Sequence, residues 1–328
     1  TCLLDDRTRS KGIRHGSAKL CLDKWDFFNF LREYDLPRPD WCEIYDPNRV
    51  LFYDYPLIMK PSLGGGSQGI RKIYSPQELL DVMARAETER MEFPMKKYDK
   101  YLIQHYVRAK YTSGLNCAVK NGELIIFTHY ARDNYGLIEQ LRQPYFYYED
   151  GIYARDNDFI KPEVYKELQR CITSLGIVNG AVRFDVFLDE NLDLVNIVEI
   201  NLRPGSSHSA TGFHDFLGRN TSRELVKLST DQSDSADFSW DHYETPYRYM
   251  YVKNMRFKGG KIRSVQFPEF SKNVHHFSHA LAAGVTIPDY WDVNVAHMCG
   301  QLILHGETYE SMILELDSIM RGIRLEYE

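Results

Sequence analysis

The spacing of apolar and polar residues changes period several times along the chain, and each change predicts an element. Over residues 24–34, Trp25, Phe28 and Leu31 recur every third position, which predicts a helix with one apolar face. Asp23 stands where it can cap that helix, and Leu36-Pro37-Arg38-Pro39 ends it. An apolar run over 55–60 predicts a strand halted by Pro61, and a short strand follows over 70–74. Ser75-Pro76-Gln77-Glu78 has the form of a capping box with proline at the first helical position, opening a helix to about residue 89.

Three further strands are predicted over 101–107, 115–119 and 124–130, with Asn121-Gly122 as the hairpin turn between the last two. Residues 133–160 lack periodicity, and a loop of that length in a compact domain points to function. A helix over 162–175 leads to strands over 181–188 and 194–201, joined by a turn over 189–193. Residues 230–245 look like a polar connector, Gly259-Gly260 like a hairpin turn, and 309–321 like a closing helix. Strands and helices mix without strict alternation, which predicts an α+β fold.

Composition narrows the field. At 328 residues, with 43% apolar and 26% charged positions, the chain is that of a globular protein of one large or two ordinary domains. No apolar run reaches the roughly 18 residues a membrane span needs. A net charge of −6 argues against a nucleic-acid-binding surface, so neither nucleic acid nor membrane is expected as a partner. The six cysteines are scattered without a CxxC pair, which predicts reduced thiols and a cytoplasmic setting. The opening Thr1-Cys2-Leu3 has no signal-peptide pattern and no Met, and suggests that an N-terminal segment is missing.

Two places carry chemistry. Gly64-Gly65-Gly66-Ser67-Gln68-Gly69 matches GxGxxG, but it leads into a strand rather than a helix, so it predicts a phosphate-approaching flap and not a dinucleotide fold. Lys60 ends the apolar run just before it, where a phosphate oxygen is a natural partner for the ammonium. Farther on, Asp185 lies on one strand, while Glu199, Asn201 and Arg203 alternate along the next. Two carboxylates and an amide are hard oxygen ligands of the kind Mg²⁺ takes when it also holds phosphates, and Arg203 adds a planar cation. His208 and His214 follow closely and are candidates for an acceptor pocket. His275 and His279 lack the Glu of HExxH, and no GxSxG elbow or kinase signature occurs.

In order and spacing these residues resemble the ATP-grasp superfamily, over about nine-tenths of the chain. The Glu-Ile-Asn-Leu-Arg-Pro-Gly-Ser-Ser-His run, residues 199–208, is most similar to the carboxylate–amine ligase branch that includes L-amino-acid ligases and carbamoyl-phosphate-synthase-like enzymes. The resemblance implies two α+β lobes gripping ATP. It implies a segment 1–54 with a linker helix, a lid subdomain over 55–107, and a C-terminal lobe over 108–328 bearing the metal and substrate sites. The Rossmann-like domain that commonly precedes such a core is expected to be absent or truncated.

The resemblance also implies roles. Lys24, Lys60, Gly65, Gly66, Ser67, Gln68 and Gly69 would hold phosphates, while Gln104, His105, Tyr106 and Val107 would form the adenine hinge. Tyr111 stands where the family usually has a ribose-binding acid. Asp185, Glu199 and Asn201 would bind one or two Mg²⁺ or Mn²⁺ ions, with Arg203 and Lys60 catalytic. The implied reaction is ATP-dependent joining of a carboxylate to an amine, an amino acid or peptide, through an acylphosphate. An ATP-grasp carboxylase, a small-molecule kinase and a catalytically impaired nucleotide-binding subunit stand as alternatives. A homodimer or a partner domain could complete the substrate site.

Overall fold

The computed structural model describes residues 12–64, 69–92, 100–133, 151–154, 160–203, 221–230, 232–238, 249–255, 257–287 and 299–328. Near the start, α1 (His15–Leu22) runs into α2 (Lys24–Glu33). The Asp23 carboxylate caps α2, accepting the amides of Trp25 at 2.8 Å and Asp26 at 3.3 Å. It also accepts the Ser62 hydroxyl. Helix α2 is buried on two faces rather than the one its spacing suggests. Phe27, Phe30 and Leu31 enter the large core, whereas Trp25 and Phe28 pack on Cys42 and Leu102 of a separate sheet. A helix wedged between two layers needs apolar residues on both sides.

That separate sheet has four strands: β1 (Cys42–Ile44), β2 (Leu57–Pro61), β3 (Arg71–Ile73) and β4 (Tyr101–His105), in the spatial order β1-β4-β2-β3. Pro61 is itself the last residue of β2, opposite Tyr101. One face, with Leu57, Met59, Ile73 and Ile103, forms a core with Leu79 and Val82 of α3 (Pro76–Glu92). The other face carries Ile58, Lys60, Lys72, Leu102 and Gln104 by register. At the start of α3 the Ser75 hydroxyl accepts the Glu78 amide at 3.3 Å. The Glu78 carboxylate in turn takes the amide of Tyr74, one residue earlier than the capping box predicts.

Beyond β4 the strands among the described residues are β5 (Tyr111–Lys120), β6 (Glu123–Asp133), β7 (Gly151–Ala154), β8 (Gly180–Leu188), β9 (Leu194–Asn201), β10 (Tyr249–Asn254), β11 (Gly260–Gln266), β12 (Val274–His279), β13 (Thr286–Ile287), β14 (Gly300–Gly306) and β15 (Arg324–Tyr327). Eight of them make one sheet in the order β12-β14-β10-β7-β6-β5-β8-β9, and β13-β11-β15 make a small third one. Asn121 and Gly122 both have positive φ, +55° and +84°, as the turn between β5 and β6 requires. The helix α4 (Pro162–Ser174) buries Val164, Leu168, Cys171 and Ile172 against one face of β5, β6, β8 and β9. Two further α-helices among the described residues are α5 (Thr221–Leu228) and α6 (Tyr309–Gly322).

Three expectations are corrected. Residues 151–154 form β7 inside the stretch expected to be irregular, because its partners β6 and β10 are recruited from afar rather than signalled locally. Gly259-Gly260 does not close a hairpin: both sides of β10 are taken by β7 and β14, so β11 pairs elsewhere. Residues 230–245 are more than a connector, since Ala236 and Phe238 are buried and the Phe238 ring stacks on Phe127 at 5.5 Å. His275 and His279 lie on the edge strand β12. All five described cysteines are free thiols.

The cap at Asp23 generates a prediction. Burial alone would raise its pKa, but the hydrogen bonds from Ser62, Trp25 and Asp26, together with the charge of Lys100, bring it below its ordinary value of 3.8. A carboxyl whose pKa is lower in the folded state stabilises the fold above its unfolded pKa and loses that contribution as pH falls through the folded value. Asp23→Ala should therefore cost about 1 kcal/mol at neutral pH. The gap to the unmodified protein should shrink below about pH 4, read from denaturant melts at several pH values. A gap independent of pH would contradict the assignment.

Candidate active site

The site begins where α2 meets β2. The Lys24 amide donates to the Ser62 carbonyl at 2.9 Å, which fixes the first turn of α2 on the segment leaving β2. From there the Lys24 ammonium donates to the Gly64 carbonyl at 2.7 Å and lies 3.9 Å from the Glu199 carboxylate on β9. Burial lowers the Lys24 pKa, with Glu199 and Asp23 acting in the opposite direction. One lysine thus links the mouth of the glycine loop to the large sheet.

Lys60 is only 8% exposed, on the face of the four-stranded sheet that looks toward this junction. Burial lowers its pKa, and the charge of Lys24 pushes it the same way while Glu199 opposes. Two ammonium groups and a carboxylate therefore share one partly desolvated space. Cations held there in the free protein are well placed to receive an anion richer in charge than Glu199 alone. Strands β2 and β3 pair antiparallel on either side of the glycine loop, as a flap requires. Gly69 has φ +73°, a conformation that favours glycine. Gly65, Gly66, Ser67 and Gln68 lie outside the described residues.

On the large sheet Asp185 stands directly opposite Glu199, and Arg183 opposite Asn201. Their other neighbours on β5 are Gly114 and Asn116, so no Cβ crowds Asp185 from that side. The Asn201 amide donates to Glu199 at 2.7 Å. Arg183, 2% exposed, donates Nη2 to Asp185 at 3.0 Å and Nε at 3.3 Å. Burial raises the Asp185 pKa; Arg183 pulls it down and the facing Glu199 pushes it up. Holding two carboxylates opposite one another is costly unless a cation joins them. Two carboxylates and an amide oxygen fit a divalent ion that takes its remaining ligands from phosphate and water. Among the described residues no group of three His, Cys, Asp or Glu side chains forms a denser metal cluster.

The other expected residues are distributed unevenly. Strand β4 ends at His105 rather than residue 107, because the chain turns there toward β5. Gln104 is buried on the face that carries Lys60, His105 is exposed, and Tyr106 and Val107 are half-buried in the connection. Tyr111 sits opposite Leu188, on the face of β5 turned away from Asp185, and packs against the core beneath α4. Arg203 is exposed, two residues past the end of β9. His208 and His214 lie outside the described residues. Sequence reasoning missed Arg183, although its place two residues before Asp185 on one strand puts both on one face.

Comparison with known proteins agrees with this architecture. The profile of the ATP-grasp domain matches residues 21–207. Over 88% of the chain it is 20% identical to the carbamoyl phosphate synthase large chain of Saccharolobus solfataricus, and it spans about a quarter of that protein, 26%. A stretch of 89 residues, 26% of the chain and 29% of the relative, is 29% identical to D-alanine--D-alanine ligase of Bacillus anthracis. The crystal structure of the L-amino acid ligase from Bacillus licheniformis superposes with a TM-score of 0.77, covering 100% of this chain and 77% of that one at 14% identity. At such identity the likeness concerns the fold.

The pairing geometry predicts opposite stability effects for two neighbours. Arg183→Met leaves the Asp185 carboxylate buried without its guanidinium and should cost about 3–5 kcal/mol, or raise the Asp185 pKa further. Glu199→Gln removes one of two facing charges and should leave the melting temperature in EDTA unchanged or higher. Calorimetric melts of both variants check this, and a strongly destabilised Glu199→Gln would contradict the like-charge account.

Proposed function

The chain belongs to the ATP-grasp family, and on that premise we propose that it is an ADP-forming ligase that joins a carboxylate to an amine. The observation that carries the proposal is the convergence of Lys24, Lys60 and Glu199 between the two sheets. In this reading Lys24, Lys60 and the loop through Gly65, Gly66, Ser67, Gln68 and Gly69 hold the ATP phosphates. The base lies toward Gln104, His105, Tyr106 and Val107. Asp185, Glu199 and Asn201 hold one or two Mg²⁺ ions, which when bound neutralise charge on the transferring phosphoryl group.

The chemistry needs no nucleophilic side chain. An oxygen of the substrate carboxylate attacks the γ-phosphorus, the bond to the β–γ bridging oxygen breaks, and ADP leaves with the electron pair. The amine nitrogen then attacks the acyl carbon, inorganic phosphate leaves, and the nitrogen loses its proton to give the amide. The chain contributes position and field: the lysines fix the triphosphate, Arg183 orients Asp185 and opposes the rise of its pKa, and Arg203 stabilises negative charge on the acyl phosphate. His208 and His214 are assigned to the acceptor side. An amino acid or peptide is the substrate class, and a second copy or a partner domain would complete the pocket.

Incubation with Mg·ATP and a mixture of amino acids, followed by product mass analysis, tests the reaction class. ADP and phosphate should form only when both a carboxylate and an amine are present. Turnover supported by bicarbonate alone, or release of AMP, would contradict it. Lys60→Met should raise the Kd for ATP at least tenfold, about 1.4 kcal/mol. Glu199→Gln should lower ADP formation at least a hundredfold, about 2.7 kcal/mol of transition-state stabilisation. An active Glu199→Gln enzyme would remove Glu199 from the metal site.

A further inference from the structure

Lys72 belongs to no role described so far, yet it lies on the face of the four-stranded sheet that carries Lys60. Register places it opposite Ile58 on one side of β2, and Gln104 opposite Ile58 on the other. Lys72, Ile58 and Gln104 therefore form a row across the sheet on the face of Lys60, with neighbouring strands about 4.8 Å apart. The row is a cation, an apolar side chain and a buried amide, roughly 10 Å from end to end. It lies two residues along β2 from Lys60, about 7 Å farther from the glycine loop.

The ammonium of Lys72 is held in place. It lies 3.7 Å from the centre of the Tyr106 ring and 5.1 Å from that of Tyr74. Tyr106 is the first residue past β4, and Tyr74 the first past β3, so both rings belong to the end of the sheet where the connection to β5 leaves. A lysine over aromatic faces gives up part of its rotameric freedom before any ligand arrives and keeps its N–H donors for an acceptor. Lys24 and Lys60 already serve the phosphate end, and the offset along β2 sets Lys72 beyond their reach.

We propose that Lys72, presented on the ring of Tyr106, is a specificity-determining residue that donates to an acceptor on the nucleobase of the bound nucleotide, over a floor made by Ile58. The proposal rests on the nucleotide-binding reading above and adds to the segment 104–107, which that reading sets beside the base, a charged side-chain donor from another strand. An ammonium donor selects bases with a ring nitrogen or carbonyl acceptor at that edge and gives nothing to the triphosphate.

Calorimetric titration with two probes, Mg·ATP and magnesium tripolyphosphate, tests it. Lys72→Met should raise the Kd for ATP five- to tenfold and leave that for tripolyphosphate within twofold. Lys60→Met should weaken both probes alike. Lys72→Arg, which keeps the cation over the ring, should retain ATP affinity within threefold, and Tyr106→Leu, which removes the ring that holds the ammonium, should weaken ATP as Lys72→Met does. Equal weakening of both probes by Lys72→Met would make Lys72 a phosphate ligand and overturn the proposal. Unchanged affinity for both would overturn it as well. Failure of the unmodified protein to bind either probe would instead bring down the nucleotide reading, and this one with it.

Discussion

The junction at Asp23 and Lys24 ties the two halves of the cleft together. Asp23 caps α2 and holds Ser62; Lys24 takes the Ser62 carbonyl with its amide and the Gly64 carbonyl with its ammonium. The same ammonium faces Glu199 on the edge strand of the large sheet. Two consecutive residues thus set the distance between the segment leaving β2 and the carboxylate of Glu199. Apolar residues on both faces of α2 wedge the helix between the sheets and hold that distance. Local capping and tertiary packing specify the same position for the helix start, the kind of consistency that fixes one arrangement.

Charge in the cleft is arranged in graded fashion. Lysines stand on the side of the four-stranded sheet and carboxylates on the side of the large sheet, each partly desolvated and each paired imperfectly in the free protein. Lys24 and Lys60 share one carboxylate, and Asp185 and Glu199 share one guanidinium and one ammonium. A magnesium–triphosphate complex carries the charges that would complete both sets at once. Such a ligand gains more in the assembled cleft than either wall could offer separately, because desolvated charges interact more strongly than exposed ones.

Much of this was legible in the sequence. Asp23, the loop between β2 and β3, the Asn121-Gly122 turn and the hairpin carrying Asp185, Glu199 and Asn201 are local features whose residues state their own geometry. What stayed hidden depends on remote partners. Strand β7 exists because β6 and β10 flank it, and β11 turns away from β10 because that strand has no free edge. The face that Tyr111 occupies is told only by its register with Leu188. Arg183 was readable by strand period, whereas the cation over Tyr106 required a contact between strands 34 residues apart, Lys72 to Tyr106.

The central claim is that both sheets build a single nucleotide site. Amide hydrogen exchange followed with and without a non-hydrolysable Mg·ATP analogue tests it directly, since protection reports local opening segment by segment. The account predicts slower exchange in residues 57–73 and in residues 183–201 together, with both effects lost when EDTA replaces Mg²⁺. Protection confined to one of the two segments, or unaffected by removing the metal, would contradict it.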